Sequence, residues 1–489
     1  MSLSKTEFGV GCLDSQRLLE NAHVALKKLP PEILDLGHVF VSAGYELALV
    51  GGPVRDAFLA LPPHDFDLTT NAHPDVTEEL LQKWGATTWG IGREFGTIGG
   101  QKNKLTVEIT TYRTEAYEVG SRKPVVAYGD TLEGDLSRRD FTVNACALTL
   151  PDLKLVDPHH GLEDLAAGIL RTPVSAKQSF DDDPLRIMRA ARFAAQLGVT
   201  VSEEIKEAMK EGAHRLEIVS AERIRAELER LIISPQPRLG LKLMVETGVC
   251  DLVLPEFSAL RETVDEHKRH KDVYEHTLTV LDRAIALETD ENGPVPRPNF
   301  TLRFAALMHD IGKPATRKFE ADGTVSFHHH DYVGAKMTRK RMKALKFDKQ
   351  TTADVADLVK LHLRFHGYGE QTWTDSAVRR YVADAGHLLE YLHRLTKADC
   401  TTRNKRKAAY LEATYAELEA RITELKKREE LDAIRPDLDG EEIMELLGLT
   451  PGPEVGRAYK YLLELRMEHG PLGKEQAAKM LQEWWNTPQ

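Results

Sequence analysis

Only four cysteines occur in the 489 residues, Cys12, Cys146, Cys250 and Cys400, each standing alone. That spacing builds neither a Cys-x-x-Cys metal cage nor a disulfide framework, and a reducing compartment fits it. Long apolar runs are missing too, since no stretch approaches the roughly 18 to 20 residues that cross a bilayer. Met1 to Lys28 carries no basic-then-apolar leader pattern. The expectation is a soluble, cytoplasmic protein with no membrane partner. There is also no excess of positive charge. Against 65 Lys and Arg stand 76 Asp and Glu, a net charge of −11. A general basic coat is thereby excluded, and any nucleic acid must be held by local patches. Basic clusters lie at Lys336 to Lys349, at Arg403 to Lys407, and at Arg186, Arg189 and Arg192 on one predicted helix. What remains is globular composition, 42% hydrophobic and 29% charged. The length suits several domains, because a single core rarely outgrows about 250 to 300 residues.

From Tyr45 to about Asp157 the chain reads as strands, glycines and turns (YELALVGG, DFDLTT, LTVEITTY, VNACALTL). A lead-in helix is expected before it, ending at Pro30 and Pro31. From Asp183 onward apolar residues recur three and four apart, as in DPLRIMRAARFAAQL and SAERIRAELERLI, so the remainder is expected to be nearly all helical. Breaks at Ser234 to Pro237, Glu291 to Pro298 and Pro451 to Pro453 mark joints. A charged helix from Tyr410 to Glu430 is expected on the surface.

The strand YELALV runs into Gly51, Gly52, Arg55 and Asp56. Glycines at a helix start let backbone N–H groups approach a phosphate. Asp65 and Asp67 follow in DFD, two apart on an extended chain and so pointing to one side. Converging carboxylates repel unless a cation lies between them, and oxygen ligands suit Mg²⁺. Taken alone, Asp-x-Asp is most often an exposed turn. A third carboxylate, Glu108, stands between Val107 and Ile109, on the face opposite those apolar residues, from which a neighbouring strand can aim it at the pair. Three carboxylates holding two Mg²⁺ ions would activate an attacking hydroxyl and neutralise a triphosphate, which is polymerase-type chemistry.

The order of the motifs is more specific than any one of them. The stretches LVGGPVRD, HDFDLTTNAHPD, GREFGTI, VEITTYR, RKPVVAYGDTLEGDLSRRDFTVNACAL, VDPHHGLEDL and DDDPLRIMRAARFAAQL resemble the class II tRNA nucleotidyltransferases. This is the CCA-adding enzyme family, which also contains bacterial poly(A) polymerases, and the resemblance runs from about residue 35 to 265. It implies an α+β fold, with a polymerase-beta-like head of mixed sheet and helices followed by an all-helical neck, body and tail. The implied reaction is nontemplated addition of C, C and A to tRNA 3′ ends from CTP and ATP with Mg²⁺. On that resemblance Asp65, Asp67 and Glu108 hold the metals, and Gly51, Gly52, Arg55 and Asp56 support the triphosphate and the local fold. Arg138, Arg139 and Asp140 match the ribose-recognising motif, and Asp157, Gly161 and Asp164 match a flexible joint between head and neck. Asp183 and Arg186 match the residues that read the base. An acid before Pro184 is also a plain helix start. Yet residues three apart share a helix face, so a carboxylate and a guanidinium could together accept the amino edge of cytosine or adenine and reject uracil and guanine. Arg189 and Arg192 lie further along the same helix and would reinforce the pocket. The chain departs from the family at Asp182, where a Glu is usual. Glu222 and Arg223 match a neck helix whose role is structural.

A second series occupies the helical half: His276, adjacent His309 and Asp310, His330, His362 and Asp399. Imidazole and carboxylate ligands suit a divalent transition metal, and a bridging hydroxide there would hydrolyse phosphate esters. The series resembles the HD phosphohydrolase family, which implies terminal 2′-phosphates or 2′,3′-cyclic phosphates of RNA, or a nucleotide, as substrates. A metal site that only braces the tRNA-binding body is the competing reading. In the tail, Gly448, Pro451, Gly452 and Gly456 form a turn that either offers N–H groups to a tRNA phosphate or joins two packed helices. The expected domains are a lead-in at 1–34, a head at 35–170, a neck at 171–262, an HD body at 263–405 and a tRNA-binding tail at 406–489. A poly(A) polymerase or a CC- or A-adding specialist shares every catalytic motif. In a different class stands an HD phosphohydrolase with a regulatory RNA-binding head. The sequence leaves the oligomeric state open.

Overall fold

The computed structural model describes residues 15–62, 66–116, 125–263, 273–288, 295–321, 325–368, 373–400, 405–429 and 434–487. The chain forms two compact units, Met1–Pro255 and Glu256–Gln489.

A lead-in helix does end shortly before Pro30 and Pro31, but a second helix starts at once. The prolines separate α1 (Ser15–Leu26) from α2 (Pro31–Ser42), with Pro31 in the first turn of the second helix, where its missing N–H costs no hydrogen bond. Helix α2 therefore runs across the expected 34/35 boundary. The head strands are β1 (Leu47–Val50), β2 (Phe66–Thr70), β3 (Thr87–Trp89), β4 (Thr97–Lys102), β5 (Leu105–Thr111), β6 (Arg113–Ala116), β7 (Val125–Tyr128), β8 (Ala147–Thr149) and β9 (Leu155–Val156). Seven of them make one sheet in the order β3-β4-β5-β2-β1-β8-β9, while β6 and β7 form a separate hairpin. The sheet is mixed, with β2 parallel to β5 and the other pairings antiparallel. The head helices are α3 (Gly52–Phe58), α4 (Pro74–Trp84), α5 (Leu132–Ser137) and α6 (Gly161–Ala167). Alternation decides the faces. Leu68, Val107 and Ile109 are fully buried on the side covered by α4, whose Leu81 lies against Gly100, the β4 partner of Val107. Each such side chain contributes roughly 1.5–3 kcal/mol by burial. The residues between them, Asp67 and Glu108, are left on the open face.

The neck is built from α7 (Ala176–Asp182), α8 (Leu185–Leu197), α9 (Glu203–Gly212), α10 (Ala221–Ile232) and α11 (Pro237–Glu246). Ser175, Ser202 and Ser220 cap α7, α9 and α10 by accepting a backbone N–H of the first turn, which fixes where each begins. Helix α8 packs on α10 and α11 and is buried along most of its circumference. The unit closes with α12 (Val249–Val253), and α13 (Pro255–Ser258) spans the division.

In the second unit, α14 (Val273–Ala286), α15 (Phe300–Met308), α16 (Lys313–Thr316), α17 (His330–Ala344), α18 (Lys349–Leu361), α19 (Asp375–Ala385) and α20 (Leu389–Asp399) precede a long α21 (Lys405–Glu429). Helix α15 is central, buried from Leu302 to Met308 and packed against α14, α18 and α20. Along α21 only a stripe of Tyr415, Leu418, Ile422 and Leu425 is buried among its apolar residues, as a surface helix requires. This helix crosses the 405/406 boundary. Helices α22 (Gly440–Leu447), α23 (Pro453–His469) and α24 (Lys474–Asn486) enclose a small core of Leu438, Ile443, Ala458, Leu462, Ala477 and Leu481. The Gly448–Gly452 turn joins the first two of these packed helices. No helix among the described residues is long and apolar enough to cross a membrane.

Candidate active sites

In the head, Asp67 on β2 stands directly opposite Glu108 on β5 across the parallel ladder, so both carboxylates rise from the same face. Asp65 lies outside the described residues. The strand β1 ends in Gly51 at φ 71°, a conformation glycine adopts without steric cost. A Cβ there would stand 3.2 Å from Arg139 Nη1, so the turn lies against the ribose-motif arginines. Arg55 is buried as a strut: its Nη1 donates to Asn144 Oδ1 at 2.6 Å and its Nε to Asp56 Oδ1 at 2.9 Å. Arg138 and Arg139 both pair with buried Asp135, at 3.4 and 3.2 Å. Asp140 accepts from its neighbour Phe141 N at 2.8 Å, from Asn144 Nδ2 at 3.1 Å and from Arg189 Nε at 2.8 Å. Burial alone would raise the Asp140 carboxyl, but the Arg189 guanidinium outweighs it and holds the pKa at about 2.

The base-reading candidates are less convergent. Arg186 lies in the first turn of α8, but Asp183 stands before that helix, in extended conformation at the end of α7, so the two do not share a helix face as their spacing suggested. The Arg186 fork, however, donates to Ser179 Oγ at 2.8 Å and to the Arg138 carbonyl at 2.6 Å. Asp183 caps the helix through Leu185 N at 3.1 Å and meets Arg223 Nη2 at 3.3 Å. Arg223, expected to be structural only, is thus the cation nearest that carboxylate's second oxygen. Arg192 donates from Nε to Glu227 at 2.5 Å and from Nη1 to Gln196 at 2.7 Å. Arg55, Arg189 and Arg192 surround the Phe193 ring, at 5.3, 5.4 and 3.9 Å from its centroid, in cation–π range. At the joint, Asp157 caps α6 through Gly161 N and Leu162 N, and buried Asp164 accepts from Thr142 Oγ1 at 2.7 Å and pairs with Arg171.

One cavity of about 720 Å³ gathers Gly51, Gly52, Arg55, Asp67, Arg139, Asp140, Arg189, Arg192 and Phe193 in its wall. That volume suits a nucleotide-sized ligand. Glu108, Arg138, Asp183 and Arg186 stand outside the wall. Sequence reasoning passed over Asp135, Asn144, Phe193 and Glu227. Asp135 alone had a local signal, since it precedes Arg138 and Arg139 by three and four residues.

In the second unit the six expected ligands come together. His276 Nε2 lies 2.9 Å from Asp399 Oδ1, His309 Nε2 lies 3.3 Å from Asp310 Oδ2 and 3.5 Å from Asp399, and His330 Nε2 lies 3.3 Å from Asp310 Oδ1. The His362 ring centroid is 5.3 Å from those of both His309 and His330. Two ligand groups, His276–His309–Asp310 and Asp310–His330–His362, share Asp310. The tautomers are set by the backbone. In His309, His330 and His362 the Nδ1–H faces the carbonyl three residues earlier, at 2.8, 2.8 and 2.6 Å. Each Nε2 is then buried and without a hydrogen-bond partner. Orphaned imidazole nitrogens beside two carboxylates fit a divalent metal. Exposed His328 and His329 take no part. A Cβ on Gly312 would stand 2.1 Å from the His330 carbonyl oxygen, so glycine lets the turn after Asp310 pass against the start of α17. Burial lowers His309, but Asp310 and Asp399 outweigh it and raise its pKa to about 10. Burial and the His309 charge push His362 down to about 4. Asp310 and Asp399 would be raised by burial, yet the His309 charge holds both well below the usual carboxylate range.

Residues 47–171 match the model of the Poly A polymerase head domain, 198–260 that of a probable RNA and SrmB-binding site of polymerase A, and 273–409 that of the HD domain. An A-adding tRNA nucleotidyltransferase of Deinococcus radiodurans is 34% identical over 90% of this chain and 95% of its own. The chain belongs to the class II tRNA nucleotidyltransferases, the CCA-adding enzyme family. It is a nucleotidyltransferase with an HD domain, and both kinds of domain use divalent metals. Other members of the family are similar over nearly the whole length. A CC-adding tRNA nucleotidyltransferase of Thermus thermophilus is 32% identical over 89% of this chain and 93% of its own, and a CCA-adding enzyme of Streptococcus thermophilus is 29% identical over 93% and 97%. The fold is that of the Bacillus stearothermophilus CCA-adding enzyme solved with CTP, at a TM-score of 0.64 and 23% identity, covering 93% of this chain and 97% of that one.

Proposed function

We propose that this nucleotidyltransferase adds C, C and A to tRNA 3′ ends without a nucleic-acid template, taking CTP and ATP into the cavity of the first unit. The observation that carries the reading is the convergence of the glycine turn, Asp67, the Arg139–Asp140 pair and α8 on that one cavity. Asp67 and Glu108, with Asp65, would hold Mg²⁺, which when bound activates the attacking 3′-hydroxyl and neutralises the triphosphate. The chain's own groups do the rest. The glycine turn and the start of α3 offer N–H groups to the phosphates, and Arg138, Arg139 and Asp140 address the ribose. Asp183 accepts from the amino group that cytosine and adenine share, for which its bond to Arg223 must give way, while Arg186 donates to the ring acceptor beside it. A tRNA substrate makes the cytoplasm the expected compartment, and the tail the expected seat of the tRNA body.

The test is extension of a tRNA lacking its 3′ CCA, with CTP, ATP or both, resolved to single nucleotides. Two residues with CTP and a stop at three with both supports the reading. A stop at two in both cases makes it a CC-adder, one residue added only to a tRNA already ending in CC makes it an A-adder, and long ATP-only tails make it a poly(A) polymerase. A second activity is favoured by the three orphaned imidazole nitrogens of the HD centre: hydrolysis of terminal 2′-phosphates or 2′,3′-cyclic phosphates of RNA with a divalent transition metal. Release of inorganic phosphate from a 2′-phosphorylated oligoribonucleotide, or opening of a 2′,3′-cyclic end, checks it. Absence of both, with metal shown to be bound, leaves the centre a structural brace.

A further inference from the structure

The ribose motif hangs on a carboxylate outside it. Asp135 on α5 is 2% exposed. Its Oδ1 accepts from the backbone N of Arg113 at 3.3 Å and from Arg138 Nε at 3.4 Å, and its Oδ2 accepts from Arg139 Nη2 at 3.2 Å; Thr69 Oγ1 lies 3.5 Å from Oδ2 and shares its one proton between that oxygen and the Thr110 carbonyl at 3.0 Å. Three separate pieces of the head meet there. Arg113 opens β6, Arg138 and Arg139 carry the motif, and Thr69 follows Asp67 by two residues on β2, hence on the same face. Each contact is long for a hydrogen bond, but the two guanidiniums engage one buried carboxylate on both of its oxygens, and removing that charge would leave two cations facing each other. The cluster also decides what Arg139 has left to offer. With Nη2 on Asp135 and Nη1 against the Gly51 turn, its buried Nε has no hydrogen-bond partner, and the side chain lines the nucleotide-sized cavity.

We infer that Asp135 is a positioning residue for nucleotide addition: it fixes the Arg138 and Arg139 guanidiniums relative to the strand that bears Asp67, and so sets the alignment of ribose and metal-binding carboxylates. The inference rests on the ribose-reading role proposed above and names the group that orients it. Asp135 touches no reacting atom. Its contribution falls on the choice of sugar, because Arg186 of the base-reading pair meets this segment at the Arg138 carbonyl, a backbone atom that the Asp135 carboxylate does not hold.

The experiment measures kcat/KM of the full-length enzyme for CTP, 2′-deoxy-CTP and UTP on a tRNA lacking CCA. Asp135→Asn keeps the shape and removes the charge. It should lower the CTP to deoxy-CTP ratio at least tenfold, mainly through KM for CTP, and leave the rejection of UTP unchanged. Asp135→Glu keeps the charge, displaces it by one methylene and guards against a variant that fails to fold, and it should lower the same ratio less. In Asp135→Asn/Arg139→Gln the ratio should be no lower than in the worse single variant, since both act through one guanidinium. Folded variants that keep the wild-type ratio, or lose CTP and deoxy-CTP equally, overturn the positioning role alone. A wild-type enzyme that uses both sugars alike overturns the ribose-reading role, and the inference with it.

Discussion

Replacing Asp140 by alanine removes the acid that joins the ribose motif to the neck helix, and the cost can be worked out from its surroundings. The carboxyl sits at about 2 instead of 3.8, a difference worth about 2 kcal/mol in favour of the folded state. Because the folded value is the lower one, this contribution is complete above pH 4 and is lost as pH falls through about 2. Alanine also strips Asn144 Nδ2 and Phe141 N of their acceptor and leaves Glu227, 3.7 Å away, as the ion-pair partner of Arg189. Breaking a buried pair from one side costs roughly 3–5 kcal/mol, and the remaining Glu227 places this case near about 3. For a unit of this size that lowers the midpoint by about 6 to 12 °C. Calorimetry and urea unfolding of the full chain, following the first unit's transition at pH 7 and pH 3, measure it. The difference between wild type and Asp140→Ala should shrink by about 1 kcal/mol at pH 3. Adding Arg189→Met should recover part of the loss, because it removes the stranded charge. A loss under about 1 kcal/mol at pH 7, or one that does not change with pH, would refute this account of the pair.

Asp67→Asn should reduce tRNA extension by on the order of a thousandfold or more, several kcal/mol of transition-state charge stabilisation. Metal content of the HD centre, read by elemental analysis of the same preparation, should not change; joint loss in a folded protein would contradict two independent sites. Metal uptake by the HD centre at pH 7 should release about one proton. His309 at about 10 carries its proton there and must shed it to coordinate, whereas His362 at about 4 has none to give. Titration calorimetry in buffers of different ionisation enthalpy counts the proton, and a count of zero refutes the assignment. Asp183→Ala should raise UTP use relative to CTP by about tenfold or more while addition continues, and unchanged choice among the four nucleotides would remove its base-reading role.

Alternating polarity made the head sheet legible, because a strand's period of two leaves Asp67 and Glu108 no other face once Leu68, Val107 and Ile109 are buried. Helix α2 was not anticipated because proline signals two opposite things. After a helix it stops the chain; in the first turn it starts one, and Pro30-Pro31 does both here. The division at Pro255 carries no glycine-rich or charged linker, being a four-residue helix, and so left no trace in composition. In the HD centre the resemblance supplied the candidate ligands and their order, but the i−3 carbonyls that turn each Nε2 inward belong to helix ends and turns whose geometry only the fold defines.

The head arginines show a different kind of illegibility. By position they read as contacts for triphosphate, ribose and base, yet Arg55 is held by Asp56, Arg138 and Arg139 by Asp135, Arg189 by Asp140 and Arg192 by Glu227. Each partner is itself largely buried, so the pairs survive where surface ion pairs would be screened. Such an arrangement attracts anions weakly at long range but fixes donor directions at short range. A chain of net charge −11 can therefore select a nucleotide by geometry, with the guanidinium edges left over from internal pairing, and without the general positive field that its composition rules out.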